Sequence, residues 1–326
     1  KRQINGYIVS VNTKRCSLPM LQMNTYAMSY FAAPGEGRKL GPLSRKALRG
    51  SFIELSDGVT HYELAGPETG ELVVLIGGLT IPLFYWDRAA AELQRRGFRT
   101  LAYSCYGRGY SDRVNARYDE SLFARQLAEL TCAVGVTPFH LVGTSMGALI
   151  AMIHAGHHPE TLATLSLAGP AGLATKPGLP LWITRSDRLT RFVARSLGRR
   201  MLIKHLDHNV AEQRSAAELK SMIEDAFQYE GSLFAVFSTL QNFGLAARTP
   251  LYEATGALQL PTLLLWGRQD RVTPISQLDN ARRLIQPTRC HVIEECGHMA
   301  PFERPCEVAD HIAAFVASSA STRART

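Results

Sequence analysis

Ser145, Asp270 and His298 occur in an order that suits nucleophilic catalysis. Ser145 lies in Gly143-Thr144-Ser145-Met146-Gly147, between the apolar run Phe139-His140-Leu141-Val142 and a helical pattern that begins at Ala148. This is the strand-turn-helix setting of a nucleophile elbow, in which Gly143 and Gly147 relieve collisions around a sharp turn. A serine hydroxyl is a weak nucleophile at neutral pH, so a neutral imidazole must take its proton during attack. His298, in Cys296-Gly297-His298-Met299, is the candidate base, and Asp270, in Gly267-Arg268-Gln269-Asp270, would hold its tautomer and stabilise the imidazolium. Singly, each has a plainer reading: an ordinary Gly/Ser turn, a loop carboxylate paired with Arg268 or Arg271, and a turn histidine. The ordered set favours catalysis.

The oxygen that gains charge needs two backbone donors. The amide of Met146, just after the nucleophile, is one. Leu79, in the loop Gly77-Gly78-Leu79-Thr80, supplies the other, with Gly77 and Gly78 allowing close approach.

These residues need elements that bring them together. Ser51–Leu55 and Val59–Leu64 around Asp57-Gly58 read as a hairpin. Leu72–Ile76, Arg99–Tyr103, the run before Ser145, Leu162–Leu167, Pro261–Trp266 and Cys290–Ile293 read as strands. Helical patterns lie near 86–96, 121–134, 148–153, 276–285 and 306–317. The alternation predicts an α/β fold, a mainly parallel, doubly wound sheet. Each candidate residue then follows the carboxyl end of a strand, and in an open sheet those ends share one edge. Residues 1–50 lack periodicity and read as an N-terminal extension, wrapped on or loosely tied to the domain. The core is expected over 51–170 and 259–319, with an inserted helical cap over 171–258 and a flexible tail over 320–326. Within the cap, Trp182, Phe234, Phe237 and Phe243 are candidates for an apolar acyl pocket, or else cap core.

Composition bounds the alternatives. The 326 residues are 46% apolar, enough for a large core, and carry a net charge of +8. Basic residues cluster in the first fifty positions, Lys1, Arg2, Lys14 and Arg15 among them, and again from Arg185 to Lys204. Such patches suit either a solvated face or contact with an anionic membrane; no nucleic-acid module accompanies them. The six cysteines, Cys16 included, lack C-x-x-C spacing, so neither a zinc site nor a disulfide framework is expected, and the thiols should be reduced. No metal or other cofactor is called for. His154, His157 and His158 have no carboxylate pattern beside them. No apolar run approaches the ~18 residues of a spanning helix. A cytoplasmic location is favoured, with organellar targeting left open by the basic, acid-poor N-terminus. Oligomeric state is open.

With these motifs in place, the chain from about 51 to 319 resembles the α/β-hydrolase superfamily. Phe139–Gly147, Gly169-Pro170-Ala171-Gly172-Leu173, Trp266–Asp270 and Glu295–His298 with Glu303-Arg304-Pro305 look most like its monoacylglycerol-lipase-type and meta-cleavage-hydrolase-type branches. Gly77-Gly78 stands where members often have His-Gly, Ser104 where aspartate is common, and Ala148 replaces a frequent glycine. The resemblance and the apolar, Arg-edged cap imply a cofactor-independent serine hydrolase of carboxylic esters, with small-molecule or lipid esters as substrates. A carbon-carbon bond hydrolase of ring-fission diketones is the alternative enzyme. A non-catalytic small-molecule receptor or scaffold on the same fold is the alternative of another class.

Overall fold

The computed structural model describes residues 9–10, 28–176, 179–206 and 209–323, the side chains of 9–10 and 321–323 excepted. Lys1, Arg2, Lys14, Arg15, Cys16 and the end of the expected tail, 324–326, lie outside the described residues. The strands are β1 (Val9–Ser10), β2 (Ser51–Glu54), β3 (Val59–Ala65), β4 (Leu72–Ile76), β5 (Arg99–Tyr103), β6 (Phe139–Thr144), β7 (Leu162–Ala168), β8 (Thr262–Gly267) and β9 (Arg289–Ile293). Among the described residues they form one sheet in the order β1-β2-β3-β5-β4-β6-β7-β8-β9. From β5 to β9 every pairing is parallel, and the hairpin β2-β3 joins antiparallel onto β5.

The runs without alternation explain the centre of the sheet. β4, β6, β7 and β8 are buried at every position, as continuous apolar strands covered on both faces must be. The helices Asp87–Arg95 and Pro305–Arg323 pack together, while Glu120–Val134, Met146–His157, Thr249–Ala257 and Leu278–Ile285 form a contiguous second group. β5 lies on one side of β4 and β6 on the other, so the strand order reverses there and a crevice opens at the carboxyl ends. Register aligns those ends: Ile76 sits beside Gly143, and Gly267 beside Ile293.

Two expected boundaries shift, and one open alternative closes. The closing helix runs to Arg323, past the position where a flexible tail was expected to begin. Thr249–Ala257, expected in the cap, packs on Met146–His157 and Leu278–Ile285 and so belongs to the layer over the sheet. Residues 28–50 are wrapped on rather than loosely tied. Met28, Phe31 and Ala33 join the core, and the buried Glu36 accepts the amides of Ala33, Gly231 and Leu233 at 2.7, 3.0 and 2.6 Å. Those last two amides lie at the N-terminus of the helix Ser232–Asn242, where a carboxylate satisfies donors that have no intrahelical acceptor.

Candidate active site

Ser145 occupies the turn between β6 and the helix Met146–His157 with φ 54° and ψ −119°, a left-handed conformation that costs a non-glycine residue about 1–3 kcal/mol. Surrounding contacts hold it there. Its amide donates to the Ala168 carbonyl at 3.1 Å, and its carbonyl accepts from Ala148 and Ala171 at 3.1 and 3.2 Å. The turn also requires its glycines. A β-carbon on Gly147 would lie 2.6 Å from the Gly77 carbonyl oxygen, and one on Gly143 would meet the backbone of Gly147 and Ala148. The loop after β4 flanks the serine closely: a β-carbon on Gly78 would stand 3.3 Å from Ser145 Cβ and 3.7 Å from its Oγ. Met146 is the first residue of its helix, where a backbone N–H has no intrahelical acceptor.

Asp270 and His298 meet as a buried pair. His298 Nδ1 lies 2.8 Å from Asp270 Oδ2, and both side chains are almost wholly inaccessible. With a carboxylate as partner, the ring nitrogen that carries hydrogen is Nδ1, which leaves Nε2 as an acceptor. The aspartate is fixed by more than the histidine. Its Oδ1 accepts the amides of Val272 and Thr273, each at 2.8 Å, and its Oδ2 accepts the Thr273 hydroxyl at 2.7 Å. Gly169, at the end of β7, closes the third side, since a β-carbon there would stand 3.1 Å from Asp270 Oδ2 and 3.3 Å from His298 Nδ1.

Residues with no assigned role at the level of sequence complete the setting. Thr273 holds Asp270, and its carbonyl accepts the buried Trp266 Nε1–H at 2.8 Å. Glu303 clamps the turn that carries His298. Its carboxylate accepts the Gly297 amide at 3.1 Å, the Met299 amide at 3.2 Å and, from the cap, the Ala211 amide at 2.7 Å. Burial pushes the Glu303 carboxyl above its ordinary value, and the three N–H groups pull the other way. The His298 amide itself donates to the Asn209 carbonyl at 2.8 Å. Arg108, fully buried, donates from Nε to the Leu79 carbonyl at 2.7 Å and from Nη2 to Thr239 Oγ1 at 2.8 Å, tying the loop after β4 to the helix Ser232–Asn242. Its guanidinium stands over Tyr118 and Phe123, and burial lowers its pKa to about 10, so it remains a cation at neutral pH. The Glu-Arg-Pro run after His298 was a visible signal for Glu303. Nothing local marks Thr273 or Arg108, whose partners lie on distant segments.

The candidate pocket aromatics separate. Phe234 packs on Tyr30, Phe31 and Tyr118, and Phe243 on Phe123, all at ring distances of 5.2–5.9 Å. Phe237 is buried against Gly198. These three form the interior between cap and core. Trp182 does not join them and is 66% exposed on the four-residue helix Leu181–Thr184, which corrects its expected place in an acyl pocket. Among the described residues, no group of three or more His, Cys, Asp or Glu side chains is arranged to hold a metal ion, and no helix is long and apolar enough to cross a membrane. Ser104, which stands where members of the family often have aspartate, is buried and accepts the Leu83 amide at 3.0 Å.

Comparison with known proteins gives matches of several kinds. Residues 71–305 match the family described as the alpha/beta hydrolase fold. Monoacylglycerol lipase ABHD6 of Mus musculus is 29% identical over 195 residues, covering 57% of this chain and 56% of that protein. The chain thus spans little more than half the length of this relative. The 2-hydroxy-6-oxo-6-phenylhexa-2,4-dienoate hydrolase of Comamonas testosteroni is 29% identical over 272 residues, covering 78% of this chain and 90% of that protein. Among solved structures, a membrane phospholipase A described as a bacterial virulence factor superposes with a TM-score of 0.65 at 28% identity, over 82% of this chain and 85% of the other.

Proposed function

The chain belongs to the alpha/beta-hydrolase family, and from that premise we propose that it is a serine hydrolase of carboxylic esters with apolar or lipid-like acyl or alcohol parts. Ser145 Oγ attacks the ester carbonyl while His298 Nε2 takes its proton, and Asp270 stabilises the imidazolium. The amides of Met146 and Leu79 receive the oxyanion, a donor in such a place being worth about 3 kcal/mol. The tetrahedral intermediate collapses to an acyl-serine as the imidazolium returns its proton to the departing alcohol. Water, deprotonated by His298, then attacks the acyl carbon; the acid leaves and Ser145 regains its proton.

The observation that carries this reading is the buried Asp270–His298 pair at 2.8 Å, on loops beside the turn that holds Ser145 in a left-handed conformation. The lipid bias is supported by the lipase and phospholipase names among the similar proteins and by the apolar, cationic cap. Ser145→Ala should lower turnover of short p-nitrophenyl esters by a factor on the order of 10⁴ or more, to near the level of buffer. Retention of full activity would overturn the proposal.

A second enzyme reading draws on the Comamonas relative, which is matched over nearly its whole length. The same three residues would then assist hydrolysis of a carbon-carbon bond in a ring-fission diketone, and turnover of such a diketone exceeding that of esters would favour it. A receptor on this fold would label at Ser145 with a fluorophosphonate yet turn over neither substrate.

A further inference from the structure

Among the described residues, one stretch of the cap gathers most of the exposed large apolar side chains. Between residues 181 and 206 the chain forms short successive helices that expose Leu181, Trp182, Leu189, Phe192, Leu197 and Met201. Trp182 and Phe192 are 66% and 64% exposed, unusual for rings of that size. Interleaved with them stand the exposed cations Arg185, Arg188, Arg195, Arg200 and Lys204. From Arg188 onward, Arg188, Phe192 and Arg195, and then Leu197, Arg200, Met201 and Lys204, recur mostly three or four apart, so apolar and cationic groups alternate on the exposed side of these helices. Asp187 is the stretch's one acidic residue, and it accepts a hydrogen bond from Gln241 at 2.6 Å. Among the described residues, none of these cations forms an ion pair with a carboxylate.

Beside this face lies a groove of about 610 Å³, lined by Arg195, Arg199, Arg200 and Lys204 together with Leu197 and Leu233. It combines positive charge with apolar walls, the complement of a lipid phosphate with its glycerol and first acyl carbons. The cap segment that contains this stretch borders the candidate active site before and after it. That segment follows Gly169, which borders Asp270 and His298, and includes Asn209, whose carbonyl accepts the His298 amide.

We infer that the face of residues 181–206 docks the protein on an anionic lipid bilayer, with Trp182 and Phe192 entering the interface and the arginines meeting headgroup phosphates. Single-sign cations interleaved with large apolar side chains are what an interfacial helix presents to such a surface. A nucleic acid would use the cations and the two rings, but it has no use for Leu181, Leu189, Leu197 and Met201, which cannot stack on bases. The inference goes beyond the proposed hydrolysis, and Ser145→Ala protein should bind as wild type does.

The test is partition of the full chain onto phosphatidylcholine vesicles with and without phosphatidylglycerol. Trp182 serves as the reporter, because Trp86 and Trp266 are fully buried. Binding should require the anionic lipid and weaken as salt rises. Brominated acyl chains should quench the bound protein's fluorescence, and Trp182→Phe should remove that quenching. Arg188→Gln/Arg195→Gln/Arg200→Gln/Lys204→Gln should weaken partition by about fivefold per cation, on the order of a hundredfold or more together, with the melting temperature unchanged. Trp182→Ala/Phe192→Ala should weaken it independently of salt. Equal binding to neutral vesicles, undiminished binding of the four-cation variant, an unquenched Trp182 in the bound protein, or displacement by an oligonucleotide would each overturn the inference.

Discussion

Several arginines around the sheet core are paired with carboxylates, and the exposed cations of the cap stretch 181–206 are not, among the described residues. Around the core, Arg49 reaches Asp87 and Glu63, Arg96 reaches Glu92 and Asp310, Arg125 reaches Asp57, and Arg268 reaches Glu294, all at 2.6–2.8 Å. Buried Arg108 and half-buried Arg113 are satisfied by carbonyls, hydroxyls and aromatic faces instead. In the cap stretch the exposed cations stand among apolar side chains and, among the described residues, form no ion pair with a carboxylate. Charge neutralised within the molecule closes a surface, whereas clustered charge beside exposed apolar area leaves interaction energy for something outside. On the two proposals above, the core would hold a reaction centre still and the cap stretch would meet the bilayer.

Substitutions can break or sharpen that contrast. The largest effect belongs to Asp270→Asn, which keeps the shape of the buried pair but lets the wrong histidine tautomer form. Ester turnover should fall by about 10⁴-fold, measured as kcat on a soluble ester with the melting temperature nearly unchanged. Next is Glu303→Ala, which leaves the Gly297, Met299 and Ala211 amides without their acceptor. Each buried amide left unpaired costs about 1–3 kcal/mol, so the melting temperature should drop clearly. The loosened His298 turn should lower kcat roughly 10- to 100-fold with KM little altered. An unchanged kcat would show that the turn does not depend on Glu303.

A smaller effect tests the seam between the N-terminal segment and the cap. Burial holds the Glu36 carboxyl above its ordinary 4.5, so the folded chain binds this proton more tightly than the unfolded chain. The stability so gained is present at low pH and is lost as pH rises above 4.5. Glu36→Gln removes the titration, and the stability of wild type minus variant should therefore decline from pH 4.5 upward, as read by denaturant melts. A difference that does not vary with pH would mean that Glu36 titrates normally. The smallest effect is expected from the four cap cations, whose replacement should change stability by less than about 0.5 kcal/mol and leave soluble-ester turnover intact.

Much of the fold was legible because its strands are continuous apolar runs and its turns follow them at once. Leu72–Ile76 and Arg99–Tyr103 match their expected bounds, and β6 to β9 lie within about two residues of theirs, because each run is short, rich in apolar residues and closed by turn residues. The cap was legible only as helical. Its limit at Thr249–Ala257 depends on which helix that segment packs against, which periodicity does not encode. Likewise, Ser145, Asp270 and His298 announce themselves by local motifs, whereas Thr273, Glu303 and Arg108 matter through partners that chain folding alone brings near. Trp182 faces outward rather than into a pocket: hydrophobicity gives no direction, and a helix of four residues has no stripe to supply one.

The direct measurement of the proposed chemistry is to mix enzyme with a p-nitrophenyl ester, quench within one turnover, and locate the acyl group by mass spectrometry of the digested protein. The expected result is a single acyl adduct on the peptide carrying Ser145, formed with about one equivalent of p-nitrophenol and absent from Ser145→Ala. Sustained turnover with no adduct, or with the acyl group on another residue, would contradict it.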